Sequence, residues 1–349
     1  MERVTAEWGP GGWPAARSAA ARALTWARGP QPGVQLITAA LRVIARLAPF
    51  HDPLPGIEEH LDLSYGSAPS ERLDLYRPVG GQQALPVLVW VHGGAWVGGD
   101  KSDIGFYLRL LAVEGYACVA INYGLAPESN YPEPVGQTGL ALAWLAEHAT
   151  SYGLDPDRVV LAGSSAGAQI AAQYAAVVSD PVYAAAVGIE PAIDPSQLVG
   201  TVLHCGPYDP ATALRHWGWR GWYARTVGWA YLGTKDFGAP QVQQASVVTH
   251  VTAAYPATLL TAGKKDSLSP QAHAFAARLA DLGVPHETLW YPGVDHEFQF
   301  DLYRPEAQEV LAVTLRFLRE CTGASTSSLD PLPYRQEVGA GGSVPVSWS

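Results

Sequence analysis

The sequence predicts an α/β protein built on a doubly wound, mostly parallel β-sheet with helices on both faces. Three observations lead to this fold class. Short apolar strands alternate with helical segments along most of the chain, one strand is apolar at every position, and the composition is that of a folded protein. Hydrophobic residues make up 48% of the 349 residues and charged residues only 15%.

The alternation of strands and helices begins near Glu58. The predicted strands are Leu61–Tyr65, Arg72–Tyr76, Pro86–His92, Cys118–Asn122, Val159–Ala162, Val202–Cys205, Thr258–Thr261 and Thr288–Trp290. The predicted helices are Tyr107–Glu114, Val135–Thr150, Ala166–Val178, Pro270–Leu282 and Pro305–Glu320. The run Val87–Val91 is continuously apolar, as expected of a strand buried on both faces of a parallel sheet. Because helices connect successive strands, those strands are expected to run parallel.

The N-terminal region, residues 1–57, is predicted to form a helical segment ahead of the sheet. Two Ala- and Leu-rich stretches, Ala15–Arg28 and Val34–Leu47, are separated by a Gly- and Pro-rich break. The apolar residues assigned to one face of the second helix are Leu36, Ile37, Leu41, Ile44 and Leu47. That face requires an apolar partner, either the main domain or a membrane surface, and the few basic residues on the polar face favour the main domain.

Two further regions break the alternation. Residues 206–250 are too long and too aromatic for an ordinary connection, so we expect an inserted lid within the main domain, residues 58–321. The aromatic residues of this lid include Trp217, Trp219, Trp222, Tyr223, Trp229 and Tyr231. They either pack the lid against the main domain or contact a substrate. Residues 322–349 are rich in Ser, Gly and Pro without periodicity, which predicts a flexible C-terminal tail.

Charge, cysteine content and hydropathy exclude several classes of function. The formal net charge is −10 and Lys and Arg form no run, so phosphates would be repelled and no nucleic-acid partner is expected. The three cysteines show no metal-binding spacing, which predicts neither a disulfide framework nor a metal site. No segment resembles a secretory signal or a membrane-spanning helix, so a cytoplasmic location is expected. Nothing in the sequence indicates an organic cofactor or fixes the oligomeric state.

A predicted strand that turns directly into a helix carries a Gly-x-Ser-x-Gly motif, Gly163–Gly167. At such a turn a serine takes a strained backbone conformation, and the flanking glycines leave room where strand and helix nearly touch. The hydroxyl then lies at a helix N-terminus, where free amides favour developing negative charge. Ser165 is therefore the predicted nucleophile. Ser164 is the rival hydroxyl, but only Ser165 has a glycine two residues away on both sides.

A glycine-rich loop, His92–Trp96, follows the buried strand. Glycines allow backbone N–H groups to turn toward a carbonyl oxygen that gains charge in a tetrahedral intermediate. The candidate donors of this oxyanion hole are the backbone amides of Gly93, Gly94, Ala95 and Ala166. His92 is expected to hold the loop rather than to transfer protons. Taken alone, the motif could also be an ordinary turn at the end of a strand.

A serine hydroxyl is a weak nucleophile near neutral pH, so a histidine must accept its proton and a carboxylate must orient that histidine. His296 follows the last predicted strand and Asp266 follows the preceding one, at the sheet edge where ligands bind in such folds. The two residues are therefore the predicted base and acid. The alternatives left open are Asp209 or Asp295 as the acid, His286 or His273 as the base, and a helix-capping role for Asp266.

With these residues in place, the chain resembles the hormone-sensitive-lipase-like branch of the α/β-hydrolases, a family of carboxylesterases. The resemblance spans about Arg72–Arg319. Beyond the two glycine motifs it rests on Asn122–Glu128, which is similar to the family's Tyr-Arg-Leu-Ala-Pro-Glu signature. It implies an α/β-hydrolase fold, a triad of Ser165, Asp266 and His296, and a cap made from N-terminal helices and the insertion after the sixth strand.

The chain also departs from that family's pattern. Ala95 replaces a glycine, Ser164 replaces the aspartate usual before the nucleophile, and Gly124 replaces an arginine. The loop His92–Trp96 resembles, in addition, the His-Gly-Gly-x-Trp motif of arylformamidases. Membership of the core branch is therefore a hypothesis.

Together these features predict a serine carboxylesterase that cleaves esters with short to medium acyl chains through an acyl-enzyme, with a small ester molecule as its partner. An arylformamidase or amidase would use the same triad and would differ in pocket shape and leaving group. A third hypothesis is a binding protein that keeps the fold without catalysis. The candidate substrate contacts are Trp96, Trp219 and Trp222. If these side chains line the site, apolar acyl or aromatic groups should be preferred over charged ones.

Overall fold

The computed structural model describes residues 32–46, 54–80, 83–213, 218–236 and 238–324 of the chain. Its strands are β1 Ile57–Ser64, β2 Arg72–Pro78, β3 Leu85–Val91, β4 Ala117–Ile121, β5 Leu154–Ser164, β6 Leu198–His204, β7 Thr258–Gly263 and β8 His286–Tyr291. Its α-helices are α1 Pro32–Arg46, α2 Gly105–Val113, α3 Glu133–Glu147, α4 Ala149–Tyr152, α5 Ala166–Ser179, α6 Pro181–Val187, α7 Pro210–Ala213, α8 Gly218–Leu232, α9 Pro240–Gln244, α10 Ser269–Asp281 and α11 Pro305–Thr322.

The eight strands form one sheet in the order β1-β2-β4-β3-β5-β6-β7-β8. The pairs β1–β2 and β2–β4 are antiparallel, and every pair from β4 to β8 is parallel. This arrangement confirms the predicted α/β fold class. Because parallel strands share one direction, the carboxyl ends of β3, β5, β6, β7 and β8 meet at a single edge, and the loops that follow them are brought together there.

Alternate residues of the central strands face two separate hydrophobic layers. In β3, Val87 and Val89 belong to one layer, and Leu88 and Trp90 belong to the other. Helices α3, α5 and α10 cover the first layer, and α2 and α11 cover the second. A strand with a helix layer on both sides has no solvent-facing side, which explains why β3 is apolar throughout.

The structure differs from the sequence prediction mainly in the length of elements. Strand β5 begins several residues before the predicted strand Val159–Ala162, at Leu154. Helix α6 was not predicted from the sequence, although its signals are present. The Asp180 side chain accepts a hydrogen bond from the Val182 N–H at the start of α6, and Gly188 ends the helix in a left-handed conformation. The seven-residue helix is too short to show a clear period.

Helix α1 packs against the rest of the molecule through a face that differs by one position from the predicted one. Val34 and Ile37 are buried, and the Thr38 hydroxyl donates a hydrogen bond of 2.9 Å to the Val97 carbonyl. Leu36, assigned to this face from the sequence, is instead 69% exposed. A residue one position before Ile37 is rotated by about 100° around the helix, which places it on another side.

Two predicted segments lie outside the described residues: the first N-terminal helix, Ala15–Arg28, and the C-terminal tail beyond residue 324. The proposed domain boundaries stay predictions. In the described part of the chain, no helix combines the length and the apolar character needed to cross a bilayer. Between β6 and β7, where the sequence predicted a lid, the structure contains α7, α8 and α9.

Candidate active site

The predicted nucleophile Ser165 lies in the tight turn between β5 and α5. Its backbone has φ of 52° and ψ of −124°, a strained conformation for a residue with a side chain. A side chain at Gly163 would place its Cβ 2.6 Å from the Gly167 carbonyl, and one at Gly167 would place its Cβ 2.1 Å from the Val91 carbonyl oxygen. Both glycines are therefore required by the close approach of β3, β5 and α5, as the motif suggested.

Three predicted side chains from separate loops meet at this turn. The His296 Nε2 atom lies 2.9 Å from the Ser165 hydroxyl, and the His296 Nδ1 atom lies 2.7 Å from Asp266 Oδ2. The other Asp266 oxygen accepts a hydrogen bond of 2.8 Å from the Leu268 N–H, and the Asp266 carboxylate is almost fully buried. A carboxylate held in this way fixes the orientation of the imidazole with Nε2 toward the serine.

The alternative acids and bases are engaged elsewhere. Asp209 accepts hydrogen bonds from the hydroxyls of Thr212 and Ser246. The His286 Nδ1 atom lies 2.9 Å from the Val284 carbonyl, and the ring of His273 packs against Trp290. Asp295 has an exposed side chain next to His296, whereas Asp266 is the carboxylate in hydrogen-bonding contact with the imidazole. Ser164 is buried at the end of β5.

The environment of His296 shifts its proton affinity. Burial alone lowers the pKa of the imidazole, but Cys205, the hydrogen bond to Asp266 and the negative charge of Glu297 raise it, and the net result is a pKa well above the ordinary value. We attribute this rise mainly to Asp266, because a carboxylate at 2.7 Å stabilises the imidazolium directly. The same interaction stabilises the imidazolium that forms when Ser165 loses its proton.

The loop after β3 has a left-handed backbone at three consecutive residues. Gly94, Ala95 and Trp96 all have positive φ, and a Cβ atom on Gly94 would lie 2.1 Å from the Gly98 carbonyl oxygen. His92 is buried, its Nδ1 lies 2.7 Å from the Gly93 carbonyl, and burial lowers its pKa. An uncharged, buried ring bonded to its own loop supports that loop, in agreement with the role expected for His92.

The four predicted oxyanion donors occupy two kinds of position. Ala95 and Ala166 line the same cavity as Ser165. Ala166 is the first residue of α5, so its N–H has no carbonyl partner one turn earlier in the helix. Gly93 and Gly94 are not among the residues that line the cavity, and an added Cβ on Gly93 would be 2.7 Å from Glu297 Oε1. Ala95 and Ala166 thus border the cavity beside the nucleophile, and the donor roles of all four amides stay predictions.

A cavity of about 360 Å³ opens in front of the triad. Its wall is mostly apolar, and the side chains that form it include Trp96, Pro207, Trp219, Tyr223, Val227 and Leu268. The indole N–H of Trp96 donates to Gln169 Oε1 at 3.1 Å, and its ring stacks on Tyr231 with centroids 4.6 Å apart. Trp96 is therefore a rigid part of the wall.

Trp222 does not line this cavity, contrary to its predicted role as a substrate contact. Its ring faces α1, where a Cβ atom on Gly33 would lie 3.2 Å from it. Trp219, Tyr223 and Val227 are spaced four residues apart along α8 and therefore share one face, whereas Trp222 lies on another. The sequence analysis left the role of Tyr223 open among the lid aromatics and did not name Val227 or Leu268 as wall residues. The four-residue spacing from Trp219 could have identified Tyr223 and Val227.

One group of potential metal ligands overlaps the triad. Ligand atoms of Cys205, Asp266 and His296 lie within 4.8 Å of one another. Two of the three residues are already joined by the hydrogen bond that orients the imidazole toward Ser165, so a metal bound there would compete with the triad.

Comparison with known proteins gives a consistent result. The sequence profile of a family described as "alpha/beta hydrolase fold" matches residues 88–300. Esterase LipQ of Mycobacterium tuberculosis is 32% identical over 256 residues, which are 68% of this chain and 56% of LipQ. The probable carboxylic ester hydrolase LipM of the same organism is 29% identical over 279 residues, which are 78% of this chain and 63% of LipM. The chain thus spans between half and two thirds of these relatives.

A solved structure of similar fold is esterase B from Lactobacillus rhamnosis, with a TM-score of 0.74 and 22% sequence identity. The match covers 87% of this chain and 97% of esterase B. At this level of identity the likeness establishes the fold. It agrees with the fold class predicted from the sequence.

Proposed function

The chain belongs to the α/β-hydrolase fold family, and from that premise we propose that it is a serine carboxylesterase. The observation that carries the proposal is the position of His296, which lies 2.9 Å from the Ser165 hydroxyl through Nε2 and 2.7 Å from Asp266 through Nδ1. The esterase names of LipQ and LipM support it.

The reaction follows from this geometry. His296 accepts the Ser165 proton as the serine oxygen attacks the ester carbonyl, and the amides of Ala95 and Ala166 stabilise the negative charge on the carbonyl oxygen. His296 then donates its proton to the departing alcohol, which leaves the acyl group on Ser165. A water molecule, deprotonated by His296, then attacks the acyl-enzyme. The bond between the acyl carbon and the Ser165 oxygen breaks, His296 returns the proton to that oxygen, and the acid is released. Asp266 stabilises the imidazolium in both steps.

The cavity supports an apolar substrate. Its volume of about 360 Å³ and its aromatic wall suit a short to medium acyl chain or a small aromatic group. The names of the relatives favour ester hydrolysis over amide hydrolysis. Among the wall residues that the structure describes, none specifically favours an arylformamidase.

We extend the proposal to location and partners. A cytoplasmic location is supported by three cysteines that are all free thiols, because disulfides are rare in reducing compartments. The net charge of −10 supports a small-molecule partner over nucleic acid. Helix α1 buries its apolar face against the protein, which argues against its use as a membrane contact.

Hydrolysis of p-nitrophenyl esters of increasing chain length, beside formyl-kynurenine and a simple anilide, tests the activity. We expect turnover of short to medium esters, and Ser165→Ala should lower kcat by a factor of about 10⁴ or more. Ser164→Ala is the matched control and should keep near-parental activity. Preferred cleavage of formyl-kynurenine would replace the esterase proposal with the arylformamidase alternative, and full activity in Ser165→Ala would reject the nucleophile.

A further inference from the structure

Cys205 lies directly behind the hydrogen-bonded pair of Asp266 and His296. It follows the last residue of β6 and is 2% exposed. Its Sγ atom, a carboxylate oxygen of Asp266 and a ring nitrogen of His296 lie within 4.8 Å of one another. The thiol is therefore close to both partners of the hydrogen bond that orients the imidazole.

The backbone at Cys205 is held in an unfavourable conformation. Its φ is 45°, in the left-handed region that glycine adopts without steric penalty and that other residues avoid. Hydrogen bonds fix it on both sides: the Cys205 N–H donates to the Thr261 carbonyl at 2.8 Å, and the preceding carbonyl, of His204, accepts from the Ser165 N–H at 2.9 Å. A side chain kept at such a position is typical of a functional site.

The sulfur also has a polar contact outside the triad. The side chain of Gln299 is fully buried, and its Nε2 donates to Cys205 Sγ at 4.0 Å. Gln299 lies in the 3-10 turn Phe298–Phe300, three residues after His296. The thiol thus connects the end of β6 with the loop that carries the imidazole.

We propose that Cys205 is a positioning residue, whose thiol, held by Gln299, keeps the imidazole of His296 aligned between Asp266 and Ser165. The inference rests on the proposed esterase function. Without the sulfur, the ring gains space to tilt, and the contact of 2.9 Å between Nε2 and the Ser165 hydroxyl loses its alignment. Such a tilt of the imidazole slows the chemical step more than it weakens substrate binding.

The proton affinity of His296 should change with the same contact. The titratable groups near His296 include Asp266 after β7, Cys205 after β6, Glu297 in its own loop and Tyr223 from α8. The charged residues Arg220, Lys265 and Asp295 line the same cavity as His296. A ring that tilts away from Asp266 loses part of the 2.7 Å contact through which the carboxylate raises the pKa of His296. Cys205→Ala should therefore lower that pKa, although Asp266, Glu297 and Tyr223 are all still present.

The kinetic test compares Cys205→Ala with Cys118→Ala, which removes a fully buried thiol from β4, away from the triad. We expect Cys205→Ala to lower kcat about tenfold with little change in KM, and to move the acid limb of the kcat profile to lower pH. Cys205→Ser, whose hydroxyl can still accept from Gln299, should recover part of the loss. Cys118→Ala should leave kcat and the pH profile unchanged.

An NMR titration of His296 in the same variants requires no turnover. The His296 resonances should titrate at lower pH in Cys205→Ala and at the parental pH in Cys118→Ala. A parental titration together with parental kcat in Cys205→Ala would overturn the proposal, and so would equal losses in the two alanine variants. If the parent protein hydrolyses no ester, the esterase function fails, and the titration alone decides the role of Cys205.

Discussion

Backbone strain at single residues is concentrated around the triad. Six residues other than glycine have positive φ in the described part of the chain, and five of them adjoin the catalytic centre: Ala95, Trp96, Ser165, Cys205 and Glu297. Each left-handed residue of this kind destabilises the fold by about 1–3 kcal/mol. Local sequence preference would not choose these conformations, so the surrounding sheet and helices must impose them.

The raised pKa of His296 predicts how the rate of ester hydrolysis depends on pH. Ester hydrolysis requires the neutral imidazole, so the rate should fall as pH drops through a pKa that lies above the ordinary value of 6.5. Asp266→Asn removes the carboxylate that favours the imidazolium, and the pKa of His296 should fall, as measured by NMR titration. Asp209→Asn changes the rival carboxylate and should leave the titration unaltered. An unchanged titration in Asp266→Asn would contradict the assigned cause.

At the scale of elements, two faces of helix α8 make different contacts. Trp219 and Tyr223 line the cavity, while Trp222 faces Gly33 of α1. One face of α8 therefore forms a wall of the cavity, and another face packs against α1.

This division predicts different results for two tryptophan variants. Trp219→Ala enlarges the cavity and should shift the preferred p-nitrophenyl ester toward longer acyl chains. Trp222→Ala should leave the chain-length preference unchanged, because its ring is outside the cavity. Equal shifts in the two variants would show that the faces of α8 are assigned wrongly.

A second prediction at this scale concerns the backbone of the loop between β3 and α2. Gly94→Ala would bring a Cβ atom to 2.1 Å from the Gly98 carbonyl oxygen, so the loop must move and Ala95 loses its place beside Ser165. We expect kcat to fall by a factor of about 10² to 10³, the effect of losing an oxyanion donor. Gly283→Ala is the control, since Gly283 also has positive φ but has no atom within 4 Å of an added Cβ. It should lower stability by about 1 kcal/mol and leave kcat unchanged.

At the scale of the whole molecule, the sheet collects residues that are distant along the chain. Ser165, Asp266 and His296 follow β5, β7 and β8, whose carboxyl ends lie at one edge. The N-terminal helix α1 reaches the same end of the molecule, where Thr38 bonds to the Val97 carbonyl in the loop after β3. The sheet therefore brings the triad together, and α1 contacts the loop that follows β3.

The packing of α1 against the rest of the protein can be tested at two adjacent positions, Leu36 and Ile37. Ile37→Asp places a charge at a buried position and should weaken docking by about 2 kcal/mol or more. Hydrogen exchange measured by mass spectrometry should then accelerate within Pro32–Arg46. Leu36→Asp alters a residue that is 69% exposed and should leave exchange in α1 slow. Equal acceleration in the two variants would contradict the observed helix face.

The sequence by itself determined the fold class and the predicted nucleophile Ser165, and it favoured Asp266 and His296 over a few alternative acids and bases. Apolar strands alternating with helices leave few topologies, and the Gly-x-Ser-x-Gly turn needs its glycines at fixed positions because strand and helix approach closely. Asp266 and His296 follow from the rule that loops after parallel strands meet at one edge. These are local or periodic signals, so they can be read without coordinates.

The tertiary structure alone decided which side chains surround those three residues. It shows that Trp222 contacts α1 instead of the cavity and that Tyr223 and Leu268 line the cavity. It also shows that Cys205 lies close to His296. Such contacts depend on the rotation of each helix and on the backbone angles of each loop, which packing against distant elements sets. No periodicity in the chain encodes them, because their partners are far apart in sequence.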